Sequence, residues 1–403
     1  MSKQNQHKPN VPELRFPEFS GEWEEFTLGE KTSLLKDGTH GTHKDVTCGP
    51  WLLSAKNIKN NKVYIDESDR KISIEDYNRI YKNYSLEVND ILLSIVGTIG
   101  RLALVKNNKN IAFQRSVAII RMNDEIKSDF LIFLMQAKKF QNELKKKQVV
   151  SAQPGIYLGD LAKIKINYPN IEEQQKISDF FSKLDRQIEL EEEKLALLEE
   201  QKKGYMQKIF SQELRFKDEN GNEYPEWEEK RLGEIAEVTM GQSPKSKNYT
   251  NDSNYMVLVQ GNADLKDGKV YPRLFTKEKT KITNTNDILL TVRAPVGEIG
   301  ISQLPVVIGR GVCSIKSSKF IYFYLEYLKE VNWWSRISQG STFESISGKE
   351  IRELVVRLPI DANEQYKIIT IFNKINDKIS DLKRKIELIR ERKKRYCVRC
   401  SYE

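Results

Sequence analysis

Two stretches of the chain carry a narrow apolar stripe on a strongly charged background. Between Ile171 and Phe210, the residues Ile177, Phe181, Leu184, Ile188, Leu195, Leu198, Tyr205 and Ile209 recur at steps of three and four, interrupted only at Glu191 and Lys202. That is a heptad seam on one long helix. The other faces are nearly all Glu, Lys, Gln and Asp, so the helix needs a partner helix to bury its stripe. Moving 191 residues along the chain gives Ile368, Phe372, Ile375, Ile379, Leu382, Ile386, Ile389, Lys393 and Tyr396. The lysine interruption recurs (Lys202, Lys393), whereas Glu191 becomes Leu382. Two unrelated surface helices would not share this register. An antiparallel pair is expected, a rod ~55 Å long at ~1.5 Å per residue.

The segments before these helices also repeat. In the first, Trp51–Ala55 and Lys62–Ile65 read as short strands, and Asn89–Val96 as a buried strand running into the glycine loop Gly97–Gly100. Val117–Arg121 is a further strand, and Ser128–Lys147 a helix with Ser128 as N-cap. Asp160–Pro169 leads into the long helix. In the second, Asn286–Val292, Arg293–Gly297, Gly311–Lys316, Phe320–Val331 and Glu350–Pro359 follow in the same order. The lead-in Leu14-Arg-Phe16 returns as Leu214-Arg-Phe216, and Leu28-Gly-Glu30 as Leu232-Gly-Glu234. Outside these anchors the two segments differ, as Lys36–Cys48 and Gln242–Asn254 do. Two copies of one scaffold with different variable surfaces follow.

The expected fold class is α+β. Two pseudo-repeated globular domains are separated by two long antiparallel coiled-coil helices in a pseudo-two-fold circular arrangement, open at the termini. The expected boundaries are an arm at 1–20, domain one at 21–170, helix one at 171–210, a connector at 211–225, domain two at 226–360, and helix two with the tail at 361–403.

A length of 403 residues allows proper cores, and a formal charge of +9 favours a polyanionic partner, nucleic acid first. No apolar run approaches the ~20 residues that span a bilayer, which predicts a soluble, cytoplasmic protein without a membrane partner. Four cysteines are too sparse for a disulfide framework, and Cys397-Val-Arg-Cys400 has no second pair.

Enzyme motifs are missing: there is no phosphate loop, no G-x-G-x-x-G and no G-x-S-x-G. Asp37, His40, His43 and Cys48 could be drawn as a metal site, but the second segment has no counterpart. A polar loop meeting phosphates or base edges is the favoured alternative. On that view His40, Thr42, His43, Lys44, Lys56, Asn57, Gly97, Thr98, Arg115 and Gln153 are candidate DNA contacts in the first domain. Gln242, Ser243, Lys245, Lys247, Gln260, Asn262, Arg293, Arg310, Ser341 and Thr342 are their counterparts in the second. Small residues in the glycine loops would let the backbone approach a ligand. Arg293 suits a bidentate contact to guanine or, equally, a salt bridge to Glu298. Arg115 and Arg310 align between the copies and suit a structural role equally with DNA contact, since a residue shared by both copies cannot explain different specificities; Lys145–Lys147 could meet phosphate. Ser151–Pro154 and Gly340–Thr342 are matching polar turns before a short helix.

The repeated Asn-Asp-Ile-Leu-Leu strands (89–93, 286–290) and the helix entries Pro169…Glu173-Gln174…Ile177 and Pro359…Glu364-Gln365…Ile368 resemble the specificity subunit of type I restriction-modification enzymes. The resemblance covers nearly the whole chain. It implies two target-recognition domains reading the halves of an asymmetric, interrupted double-stranded DNA site. The helical pair would act as the spacer and as the dock for two methyltransferase subunits. It also implies restriction subunits in the full complex, with S-adenosylmethionine, ATP and Mg in those partners and no cofactor in this chain. One departure concerns the tail. Helix one ends Gln207-Lys-Ile-Phe210, whereas helix two ends Cys397-Val-Arg-Cys400. Fraying of the last turn and weaker closure against residues 1–16 are expected.

Overall fold

The structure is a computed structural model and describes residues 10–149, 154–338 and 345–400. Contacts divide the chain into two units, Met1–Glu191 with Lys385–Glu403, and Glu192–Arg384.

In the first unit four strands, Thr32–Asp37, Val117–Met122, Ile91–Ser94 and Leu102–Leu104, lie side by side in that order, each antiparallel to the next. Successive side chains on a strand face opposite sides, and both sides here are covered. Ile91, Leu93, Ala118 and Ile120 join the core of the helices Ser128–Gln136 and Lys138–Lys146. Leu92, Ala103, Val117 and Ile119 join a second core with Leu53, Ile111 and Phe113. Those last three residues come from the parallel pair Trp51–Leu53 and Ile111–Phe113.

The second unit repeats the plan. Glu237–Met240, Val312–Lys316, Ile288–Thr291 and Ile299–Ile301 keep the same order and directions, and Lys269–Val270 and Leu265–Lys266 extend the sheet. Ile288, Leu290, Cys313 and Ile315 pack with helix Lys319–Glu330, and Leu289 and Val312 with Val257, Val259 and Ile308.

The repeated Asn-Asp pair has a local cause. Asn89 and Asn286 adopt left-handed backbone, φ 74° and 71°, which asparagine tolerates better than most residues. Asp90 and Asp287 are buried, and each accepts the amide N–H of the residue three before it, Glu87 or Asn284, at 2.8 Å. The pair is a turn that delivers the apolar strand.

Some elements differ from expectation. The single helix over 128–147 is two helices broken at Ala137, whose ψ of 148° is extended. The break turns Phe140 and Leu144 back onto the core that takes Phe130 and Phe133. Ser128 is inside the helix; Lys127 holds the cap position, and its amide donates to Gln174 Oε1 at 2.9 Å. The strands at 51–55 and 62–65 shorten to Trp51–Leu53 and Lys62–Val63, with a 3₁₀ turn at Ala55–Asn57.

The long helices are Ile171–Phe210 and Ala362–Cys400. In the first unit Asp185 pairs with Lys393 at 2.5 Å and Glu191 with Lys385 at 2.8 Å. In the second Glu199 pairs with Lys383 at 3.2 Å, and Phe210 stacks on Phe372 at 6.0 Å. Rising numbers on one helix meet falling numbers on the other, so within each unit the segments are antiparallel. Ile177, Phe181, Ile368, Phe372, Ile375, Ile386 and Ile389 are buried, while Leu184, Ile188, Leu195, Leu198, Tyr205, Ile379 and Leu382 are half-buried. Both seam lysines are satisfied by acids, Lys393 by Asp185 and Lys202 by Glu326 at 2.9 Å.

The last turn of the second helix does not fray before Cys400. Cys397 is buried in the first core, its Sγ 3.9 Å from Phe133 O, in the place that Met206 takes in the second core. Leu14 N–H donates to Arg399 O at 2.8 Å, as Leu214 N–H does to Lys208 O at 2.9 Å. Small side chains thus do in the first unit what Met206 and Ile209 do in the second. Among the described residues no helix is long and apolar enough to cross a membrane.

Candidate nucleic-acid interface

Strand register gathers most candidate residues at one end of each sheet. In the first unit Asp37 lies opposite Ala118, Ser94 opposite Val117 and Leu93 opposite Leu102. The loops after Asp37 and Ser94 and the residues before Val117 therefore leave from the same edge. Hydrogen bonds tie them together: Thr39 N–H to Phe113 O at 2.8 Å, Arg115 N–H to Thr39 O at 3.1 Å and Ala55 N–H to the Ser116 hydroxyl oxygen Oγ at 3.2 Å. His40, Thr42, Lys44, Lys56, Gly97, Thr98 and Arg115 all sit on these segments and are exposed. Lys145–Lys147 follow nearby, since Gln141 on the same helix donates to Gly100 O at 3.1 Å; Lys146 itself pairs with Glu143.

In the second unit Met240 lies opposite Cys313, Thr291 opposite Val312 and Leu290 opposite Ile299. Gln242 N–H donates to Ile308 O at 2.9 Å, and Arg310 N–H to Ser243 Oγ at 3.1 Å. This assembles Gln242, Ser243, Gln260, Arg293 and Arg310 at the matching end. Lys245 and Lys247 are exposed in the loop that follows. Glu278 anchors that loop by accepting Lys245 N–H at 2.8 Å and Asn248 Nδ2 at 2.6 Å, and these bonds hold its carboxyl below the usual range. Asn262, exposed, opens the 3₁₀ turn Asn262–Asp264.

Two candidates face inward. His43 is 8% exposed, its Nε2 2.9 Å from Thr39 Oγ1 and its Nδ1 3.3 Å from Asp76 Oδ2. Asn57 is 5% exposed, accepting from Ser54 N–H at 2.9 Å and donating to Asp69 Oδ2 at 2.7 Å. Both shape the loops that carry their exposed neighbours. Lys56 pairs with Asp69 at 2.7 Å. Burial pushes the Asp69 carboxyl up, but Lys56, the Asp66 amide and Asn57 outweigh it and hold the carboxyl low. Gln153, Ser341 and Thr342, with Ser151–Gln153 and Gly340–Thr342 of the two polar turns, lie outside the described residues.

Arg293 does not bridge to Glu298, which pairs with Lys329 at 2.8 Å; its exposed guanidinium has no partner among the described residues. The glycines divide by role. At Gly97, φ 75°, a Cβ would meet nothing within 4 Å, so that loop is open to a ligand. At Gly100 it would lie 2.3 Å from Gln141 Oε1, and at Gly297 2.6 Å from Trp334. Both have left-handed backbone, φ 89° and 92°, which favours glycine, and at Gly297 the Trp334 side chain also fills the space. Among the described residues no group of three or more His, Cys, Asp or Glu could hold a metal ion.

Sequence reasoning missed one equivalence. Gly38 and Gly241 each donate N–H to the strand opposite, to Val117 O and Val312 O, at 3.0 Å. A Cβ at either would lie 2.1 Å from a backbone carbonyl oxygen, of Phe113 or Gly309. The stretches Lys36–Cys48 and Gln242–Asn254, unlike in sequence, therefore leave the sheet along one backbone path. The likeness continues through the 3₁₀ turns Ala55–Asn57 and Asn262–Asp264, and through tight hairpins at Asn60-Asn61 and Asp267-Gly268, all four residues at positive φ. The only signal was a glycine closing a strand in both copies.

The family described as "Type I restriction modification DNA specificity domain" matches residues 21–200 and 224–391. The putative type I restriction enzyme MjaX specificity subunit of Methanocaldococcus jannaschii is 28% identical over 400 residues, covering 93% of this chain and 92% of that protein. The crystal structure of the type I restriction-modification system S subunit from M. genitalium has a TM-score of 0.62 at 18% identity, covering 98% of this chain and 99% of that one. A chain from a structure of type I R-M complex assembly and conformational transition has a TM-score of 0.58 at 23% identity, covering 93% and 95%. These last two likenesses are of fold.

Proposed function

The chain belongs to the type I restriction-modification DNA specificity family, and from that membership we propose that each unit reads one half of an asymmetric, interrupted DNA site. The chain is the non-catalytic, sequence-reading component. One observation carries the bipartite reading: equivalent sheet ends in the two units present different exposed polar side chains. His40, Thr42 and Lys44 stand in the first, against Gln242, Lys245 and Arg293 in the second. One scaffold with two side-chain sets suits two half-sites of different sequence. The recognition domains are taken as 21–170 and 226–360. Exposed lysines and arginines at these ends supply phosphate affinity, and amides, hydroxyls and Arg293 supply base contacts.

The long helices are proposed to pair as an antiparallel coiled coil, to set the spacing between the half-sites and to dock two methyltransferase subunits. The ion pairs Asp185–Lys393 and Glu199–Lys383 support that pairing. The matching closures of Leu14 on Arg399 and Leu214 on Lys208 support a pseudo-two-fold circular order. S-adenosylmethionine belongs to the methyltransferases, and ATP and Mg to the restriction subunits of the full assembly. Genome-wide mapping of adenine methylation, in cells with the methyltransferase partner and with or without this chain, tests the reading. A new bipartite motif with a fixed gap is expected; no new motif would refute it.

A further inference from the structure

We propose that Gln114 and Gln260 are the equivalent base-reading amides of the two domains, one per half-site, each set to take the major-groove edge of an adenine. The inference rests on the bipartite reading above and deepens it.

Position comes from the short parallel strand pair at the interface end of each unit. Leu53 lies opposite Phe113, and Val259 opposite Ile308. The next residues are Ser54 and Gln114 in the first unit, Gln260 and Gly309 in the second. The backbone repeats the match: Gln114 N–H donates to Leu53 O, and Gly309 N–H to Val259 O, both at 2.8 Å. Ser54 is thus the counterpart of Gln260, and Gln114 of Gly309.

Each pair has one glutamine and one small residue, in opposite order. The space explains why. A Cβ on Gly309 would lie 3.3 Å from Gln260 Cγ and 3.3 Å from Ser243 Oγ. A side chain at 309 would need room that Gln260 already takes. In the first unit the glutamine comes from the other strand and the facing residue shrinks to serine. Each domain therefore holds one glutamine on this strand pair, next to an exposed arginine, Arg115 or Arg310.

The amides have bonding capacity left. Gln260 Nε2 donates to Tyr249 Oη at 2.7 Å, which fixes the orientation of the amide and leaves Oε1 and the second N–H free to pair. Adenine presents N7 as acceptor and N6 as donor in the major groove, and glutamine matches both at once. Gln114, half-buried, makes no side-chain hydrogen bond among the described residues. Tyr249 is a positioning residue for Gln260.

The test uses the full chain with its methyltransferase partner and adenine-methylation mapping. Relative to wild type, Gln114→Ala should relax one position of one half-site, and Gln260→Ala one position of the other. Each should lose roughly ten-fold or more in base preference there, the range for one good bidentate pair. Gln260→Leu, which keeps the bulk, should relax the same position, and Tyr249→Phe should do so more weakly. The double variant Gln260→Ser with Gly309→Gln, which copies the first domain, should keep the adenine. An unchanged motif in both alanine variants overturns the proposal. So does relaxation in a single half-site by both, or a uniform drop in methylation at an unaltered motif, the signature of a purely structural role. A wild type that yields no bipartite motif would instead sink the functional reading beneath it.

Discussion

Arg15 makes with Glu173 in the first unit the ion pair that Arg215 makes with Glu364 in the second, at 2.6 and 3.2 Å. Both carboxylates are sealed, their side chains 0% and 1% exposed. Each arginine also donates to two backbone carbonyls beside its lead-in, of Ser20 and Gly21 or of Tyr224 and Pro225. With Leu14 on Arg399 and Leu214 on Lys208, each Leu-Arg-Phe segment ties the end of one long helix to the start of the other.

Removing one partner of a buried pair leaves the other uncompensated, at about 3 kcal/mol or more. Glu173→Ala should accordingly speed native-state hydrogen exchange of Ile91–Ser94 by roughly a hundred-fold and leave Ile288–Thr291 unchanged. Glu364→Ala should do the reverse. Unaltered exchange in either variant would mean the pair adds no stability.

Gly38→Ala and Gly241→Ala should each destabilise their unit by about 3 kcal/mol, because the new Cβ meets a fixed carbonyl oxygen rather than a yielding side chain. Gly204 is the contrast. It lies inside the first long helix, where a Cβ would meet nothing within 4 Å, so Gly204→Ala should stabilise by about 0.5–1 kcal/mol. Denaturant unfolding of the three variants checks both signs.

Cysteine reactivity should divide by burial. Cys48 is exposed, whereas burial pushes the Cys313 and Cys397 thiols up to about 12 and Cys400 to about 11. At pH 8 a thiol reagent should label Cys48 quickly and reach Cys313 and Cys397 only on unfolding. Linkage gives the pH dependence. These thiols stay protonated in the fold while the unfolded chain ionises near 9, so their contribution is full below pH 9 and is lost as pH rises toward 12. Rapid labelling of Cys397 in native protein would contradict its place in the core.

The seam can be broken by charge. Ile375 is 7% exposed and Leu184 half-buried, and an unpaired carboxylate at either is costly. The double variant Leu184→Asp with Ile375→Asp should part the helices and abolish assembly with the methyltransferase subunits in size-exclusion chromatography. Full assembly would remove the seam as the dock.

Exchanging residues 226–360 for those of another family member should alter one half-site of the methylation motif and keep the other. A change in both halves would defeat the two-reader proposal. DNA binding by the assembled complex should weaken steeply with salt, as phosphate neutralisation requires.

Much of the fold could be read along the chain, for local reasons. The Ile171–Phe210 stripe repeats every heptad, and the buried strands at 91–94 and 288–291 sit in matching apolar runs behind a left-handed asparagine. The candidate interface was legible only in part. His43 and Asn57 have the chemistry of DNA contacts, yet both are buried, His43 against Thr39 and Asn57 on Asp69. Gln114, proposed above as a base reader, carried no signal, because it stands out only by what faces it across a parallel strand pair.

By itself, then, the sequence determined the duplication, the two long helices, the buried strands and the family, because periodicity and self-similarity are written in consecutive residues. Tertiary structure decided which loop residues meet. Sheet register brings Arg115, Thr39 and Ala55 together from distant parts of the chain. It also placed Gly38 and Gly241 at one backbone crossing, where the only requirement is the absence of a side chain. A shared backbone path constrains few residue identities, so the loops diverged in sequence while keeping one route.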